Sequence, residues 1–157
     1  MIERKVHCPP NLEERPFDLT VERVVGLTPK TLFFAWTTGW GDWFAAPETV
    51  ISTGGPGSCF FFEVHPPGKR FPHYGRFLRS ECFSMVELTW VTGPTGTKGA
   101  ETVITVEFEE VEGGTRIKLR HAGFPDEESR DKHKTAWPMV LEQLEIKLKA
   151  KEAGNKK

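Results

Sequence analysis

Past Phe124-Pro125 the hydrophobic period of this chain changes from two residues to about 3.6. Before that point apolar residues alternate, segment after segment. After it Trp137, Val140, Leu141, Leu144 and Leu148 fall on one stripe of a helix. Consecutive alternating segments followed by one long amphipathic helix have few compact solutions. A sheet of many strands must curl to bury its apolar face, and the helix is the element available to cover the concave side.

The segments can be placed one by one. Residues 17–24 alternate as a half-buried strand. Thr28-Pro29 opens a helix, with Thr28 as N-cap and Pro29 in the first turn. Leu32, Phe33 and Trp36 continue it, and a second short helical turn is expected at Asp42-Trp43-Phe44. Strands are expected at residues 49–53, 58–65, 71–80, 85–92, 102–110 and 115–121, with turns at the Gly- and Pro-rich stretches between them. Residues 92–99 read as an exposed hairpin tip. Pro138 conflicts with a helix interior, so a short acidic turn over residues 126–130 and a main helix from near Thr135 are expected. The fold class is therefore α+β: two short helices after the first strand, then a curved antiparallel sheet, about six to seven strands in all, around a long C-terminal helix. Residues 1–16 form an N-terminal extension, 17–150 the domain, and 151–157 a disordered basic tail.

Composition removes several function classes. With 21 basic and 22 acidic residues the net charge is −1, which leaves no electrostatic footprint for nucleic acid. Apolar runs such as Phe60-Phe61-Phe62 are far too short for membrane insertion. Met1 to Pro10 lacks the apolar core of a signal peptide, so the expected address is cytoplasmic. Cys8, Cys59 and Cys82 have no C-x-x-C spacing and read as reduced thiols. The glycine-rich stretch at residues 53–57 opens a strand, so it lacks the helix N-terminus that cradles phosphate. No metal or other cofactor is expected. His65 and His73 flank one hairpin, but no cysteine or carboxylate is fixed beside them, and solvation at the sheet edge is the expected state.

The aromatic inventory is lopsided: twelve Phe and five Trp against one Tyr. Strand parity places Phe60, Phe62, Phe77 and Trp90 on the concave face, with Ile104, Val106, Phe108, Leu119 and His121. Trp40, Trp43 and Phe44 follow the first helix, and Phe124, Trp137 and Leu141 belong to the facing helix and its approach. Either these side chains are plain core or they line an apolar ligand cavity. Alternation also puts Gly75, Phe77 and Arg79 inward and Tyr74 outward, and Glu63 and Glu142 are expected in solvent. His121 is either a buried structural histidine or a polar anchor or general base.

The ordered set of segments also resembles a known family. Leu19-Thr20-Val21-Glu22-Arg23-Val24, then Pro29 and Leu32-Phe33-Phe34-Ala35-Trp36-Thr37, is similar to the opening of heat-shock-protein-90 ATPase activator homologue-like domains, members of the START-like (SRPBCC) superfamily that includes polyketide cyclases and birch-pollen allergens. Gly75-Arg76-Phe77-Leu78 with Val86-Glu87-Leu88-Thr89-Trp90 resembles their central hairpin. The stretch from Gly114 to His121 resembles their last strand, and Phe124-Pro125-Asp126 through His133, Trp137, Leu141 and Leu144 their terminal helix. The resemblance implies a helix-grip fold, a ligand cavity between sheet and helix, and, as in some relatives, a homodimer or a chaperone partner. The leading expectation is a non-enzymatic domain binding a small apolar or aromatic ligand, since Phe offers area but no polar handle. One alternative is a cyclase- or hydrolase-type enzyme with His121 as acid or base. Another is a chaperone-associated or homodimeric interaction protein with an exposed apolar patch around Phe61 or Phe71.

Overall fold

In the computed structural model, which describes residues 8–155, every expected strand forms. The strands are β1 (Phe17–Val25), β2 (Ile51–Ser52), β3 (Cys59–Val64), β4 (Phe71–Glu81), β5 (Met85–Trp90), β6 (Thr102–Val111) and β7 (Gly114–Phe124). They make one antiparallel sheet in the order β1-β7-β6-β5-β4-β3-β2. Helix α1 (Pro29–Ala35) follows β1, and 3-10 turns at Trp40–Asp42 and Pro47–Thr49 lead into β2. The long helix α2 (Glu127–Asn155) closes the chain. This is a helix-grip fold of the α+β class.

Local chemistry accounts for the elements. Thr28 Oγ1 accepts from the Thr31 N–H at 3.1 Å, and Pro29 needs no partner in the first turn of α1. On β6 Ile104, Val106 and Phe108 face the core, as do Thr115, Ile117, Leu119 and His121 on β7. The β6 and β7 partners lie directly opposite, Val106 with Leu119 and Ile104 with His121, so the two apolar sets meet on one face.

β4 breaks its own alternation. Its first half pairs with β3 and its second half with β5, and a register shift falls between Phe77 and Arg79. Both Phe77 and Leu78 are buried there. Arg79, expected inward, is exposed and donates to Glu87 Oε1 at 3.0 Å, because the bulge reverses the parity after Phe77. Tyr74 is outward as expected. At Gly75 any Cβ would strike the Thr89 carbonyl oxygen, so only glycine lets β4 cross so close to β5.

Helix α2 differs from expectation at both ends. It is continuous from Glu127, with no separate acidic turn. Asp126 caps it: Oδ1 accepts from the Ser129 N–H at 2.8 Å, while Lys98 Nζ donates to Asp126 Oδ2 and Glu128 Oε1, each at 2.9 Å. Pro138 therefore sits in the helix interior. It is exposed, as is Lys134 one turn earlier, so the carbonyl that loses its partner faces water. Trp137, Leu141, Leu144 and Leu148 are buried on the opposite face. At its far end α2 continues through Lys151 to Asn155, five residues into the stretch expected to be a disordered tail.

The extension packs on the domain where it is described. Arg15 donates to the carbonyls of Gly123 and Glu101, both at 2.8 Å, and a Cβ at Gly123 would lie 2.7 Å from Leu12 Cδ2. The cysteines at positions 8, 59 and 82 are free and exposed.

Because Pro138 removes an interior hydrogen bond, Pro138→Ala should raise stability by about 1–3 kcal/mol in a urea titration. No gain would place the start of the main helix next to Pro138 and refute a continuous α2.

Candidate functional site

The aromatic set expected to line a cavity instead packs against itself. Trp40, Trp43, Phe60, Phe62, Phe77, Trp90, Phe124 and Trp137 are each at most 3% exposed. Trp40 meets Phe62 at 5.0 Å between ring centroids, Trp43 at 5.7 Å and Trp90 at 5.9 Å, and Trp90 meets Trp137 at 6.0 Å. Ile104, Val106, Leu119 and Leu141 are equally buried, and Phe108 nearly so. The indoles find their own polar partners: Trp40 Nε1 donates to the Thr37 carbonyl and Trp43 Nε1 to that of Ala35. Trp36 Nε1 has no hydrogen-bond partner among the described residues, and its ring stands edge-on to Trp40, 5.3 Å away.

His121 lies at the centre of this core and is fully buried. The indole N–H of Trp137 donates to its Nδ1 at 3.1 Å. Its Nε2 lies 2.8 Å from Thr102 Oγ1, whose own hydrogen goes to the Trp90 carbonyl. An indole nitrogen only donates, so Nδ1 must accept and Nε2 must carry the proton. The ring is held in one neutral tautomer with both nitrogens occupied. Burial, and then the neighbouring His133, pushes its pKa well below the usual histidine range. This is the buried structural histidine of the two alternatives, held by side chains on β6 and α2. No lone pair is left to act as a base and no proton is free to give.

Open space lies beyond the end of the core. A groove of about 560 Å³ runs between the start of β4, the connection from β5 to β6, and the N-terminal half of α2. Phe44, Val64, Phe71, Pro72 and Ala136 supply apolar wall, and His73, His133, Lys132 and Arg70 supply the polar groups. Of the residues expected to line a ligand cavity, only Phe44 borders this groove. The far wall, residues 92–96, is not the loose tip that its glycines suggested. Thr92 and Thr97 exchange hydrogen bonds, each N–H donating to the other's Oγ1 at 2.9 and 2.8 Å, and Thr97 is fully buried. Gly96 leaves the room that this clasp needs, since a Cβ there would strike Thr92 Oγ1.

His73 departs from the solvated sheet-edge state expected of it, and His133 entered the sequence reading only through the resemblance of the terminal helix. His73 turns inward opposite Phe62 and stacks on it at 5.3 Å and 15°, edge-on to Trp90 and Phe44. It shares the parity of Gly75 and Phe77, so the alternation of β4 already carried this placement. His65 is exposed at the sheet edge, as expected, and bonds Glu63 at 2.7 Å, with Arg70 on the same carboxylate. His133 lies one turn from both Ser129 and Trp137 on α2, a row that only a continuous helix makes visible. Burial lowers the pKa of His73 to about 4, against the opposing hydrogen bond to Phe71, and lowers that of His133 as well.

Comparisons with known proteins agree with this geometry. Residues 27–149 match the family described as Activator of Hsp90 ATPase homolog 1-like protein. The chain belongs to this family. Solved structures show the same AHSA1-like fold at low identity. The AHSA1 protein from Silicibacter pomeroyi is 21% identical over 86% of this chain and 99% of its own, with a TM-score of 0.71. A protein from Chromobacterium violaceum is 18% identical over 83% and 96%, with a TM-score of 0.70. The Aha1 dimer from Colwellia psychrerythraea, solved in solution, is 18% identical over 84% and 96%, with a TM-score of 0.64. Comparison with curated proteins returned no match. No helix among the described residues is long and apolar enough to cross a membrane.

Within this AHSA1-like frame the buried histidines set the response to acid. The unfolded chain takes up protons near the ordinary histidine value of 6.5, while folded His73 resists until about 4. Stability is therefore full above about pH 6.5 and falls as pH drops, by about 1.4 kcal/mol per pH unit for each such histidine. The urea midpoint should fall between pH 7 and pH 5, and His73→Phe, which keeps the stacking ring, should flatten that slope. An unchanged slope in the variant would refute the assignment.

Proposed function

We propose that this domain binds a small, mainly apolar ligand in the groove between the start of β4, the 92–96 connection and α2. The observation that carries the proposal is an apolar groove of about 560 Å³ walled by the Thr92–Thr97 clasp on one side and by His73, stacked on Phe62, on another. Such a volume suits a small organic molecule. The concave face behind it is filled by packed rings, which supports the groove over a deeper internal cavity as the place of binding. Both nitrogens of His121 are occupied, which favours a binder over a catalyst working through that residue.

Ala136 lines the groove from α2, whereas Phe77 lies in the packed core behind it. Ala136→Trp should therefore reduce binding of a neutral fluorescent apolar probe about tenfold or more, and Phe77→Leu should leave it nearly unchanged. The reverse pattern would move the site into the core.

A second reading, self-association, has its own observation. The exposed apolar patch lies at Phe34 and Phe83, 47% and 39% exposed, and not at Phe61 or Phe71, which are half-buried. Phe83 sits at φ 65° at the tip between β4 and β5, where its ring meets Phe33 and Phe34 of α1. A bulky residue in the left-handed region needs support from such contacts. The Colwellia psychrerythraea neighbour is described as a dimer. If this patch joins two copies of the chain, light scattering should show a dimer that Phe34→Ser converts to monomer. A monomer at high concentration would exclude it.

A further inference from the structure

We propose that the groove selects a ligand whose apolar body carries a hydroxyl group, with the hydroxyl hydrogen received by Nε2 of His73 or of His133. The inference rests on the groove being the ligand site. It comes from how the two rings are held. His73 Nδ1 lies 3.1 Å from the Phe71 carbonyl oxygen, and His133 Nδ1 lies 2.8 Å from that of Ser129. A carbonyl only accepts, so each Nδ1 carries the hydrogen. In the neutral ring Nε2 is then a lone-pair acceptor. No described residue donates to either Nε2. Two histidines in the same tautomer, one from β4 and one from α2, thus border the same apolar space.

The surroundings keep this arrangement in place. His73 is clamped between the face of Phe62 and the edges of Phe44 and Trp90. His133 packs on Phe124 at 4.9 Å and on His121 at 5.1 Å. Burial holds both rings neutral at physiological pH, so the acceptor form is the one a ligand meets. A ligand without a donor would cover these lone pairs and leave them unsatisfied, which penalises it. A hydroxyl also accepts, and Lys132, on the same rim and in no ion pair among the described residues, can donate to its oxygen. Arg70 is engaged by Glu63 through Nε and one terminal nitrogen, so it is less available to an anionic head group. Donor and acceptor in one atom is the chemistry of a phenol or alcohol. An aromatic body suits walls built from Phe44, Phe71 and two prolines.

Three matched probes test the proposal on the full chain at neutral pH: β-naphthol, its methyl ether, and β-naphthoate, each followed by calorimetry. β-Naphthol is expected to bind about tenfold more tightly than the ether, which has the same body and no donor. His73→Phe or His133→Leu, whichever removes the acceptor in use, should bring the affinities of β-naphthol and the ether together, the ether binding no more weakly than before because it no longer covers an unsatisfied lone pair, and that retained binding shows the variants are folded. Equal affinity for naphthol and ether, or a preference that survives both substitutions, would overturn the hydroxyl assignment while leaving the groove as a ligand site. Tighter binding of β-naphthoate would make the site an anion site and also overturn it. Binding of none of the three would remove the groove itself as a ligand site, and the inference with it.

Discussion

The indole N–H of Trp137 donates to Nδ1 of His121, and the way α2 lies across the sheet depends on this bond. Apolar packing alone is tolerant of small slides, because one methylene contact resembles another. A hydrogen bond between two fully buried polar groups is not tolerant, since a slip leaves both partners unsatisfied. The bond continues through His121 Nε2 to Thr102, and from Thr102 to the Trp90 carbonyl. One polar chain thus ties α2 to β7, β6 and β5. A second tie lies farther along the helix, where Glu145 accepts from the Gly26 N–H at 2.9 Å and from Arg23 at 3.1 Å. Between these two points the helix is held in position and in rotation.

The same bond explains why the site is where it is. With Trp137 drawn onto the sheet, the rings of Trp36, Trp40, Trp43, Phe62 and Trp90 close the concave face. Large flat rings at 5–6 Å spacing leave little room. Space is left at the end where α2 begins, whose first turn is charged and is capped by Asp126 and Lys98. There the 92–96 connection stands off from the helix, and the groove lies between them. In this AHSA1-like domain the open space lies at the mouth of the helix grip and not at its centre.

Much of this was legible along the chain. The resemblance read from the strand and helix motifs, extended here by the match over residues 27–149, placed the family correctly. The inward parity of β6 and β7 was carried by strict alternation. Arg79 was misplaced because a β-bulge shifts register without any sequence mark beyond the nearby glycine. Pro138 does not delay the start of α2, because four buried side chains on the opposite face outweigh one lost hydrogen bond. For the site, the rings assigned to a cavity were correctly placed inward, but inward positions do not distinguish lining from filling. His73, expected in solvent at the sheet edge, lies inside, as its parity with Phe77 implies.

By itself the sequence determined the alternation, the switch of period after Pro125, the caps and the turns, and through them the α+β architecture. These are local properties: a side chain's face follows from its position in a strand or helix. Tertiary structure alone decided where empty space remains and which histidine is free. Empty space is the difference between large volumes contributed by distant residues. The tautomer of an imidazole depends on partners up to nineteen positions away, as Thr102 is from His121. Neither quantity is written in any one segment, so both appear only when the helix has closed on the sheet.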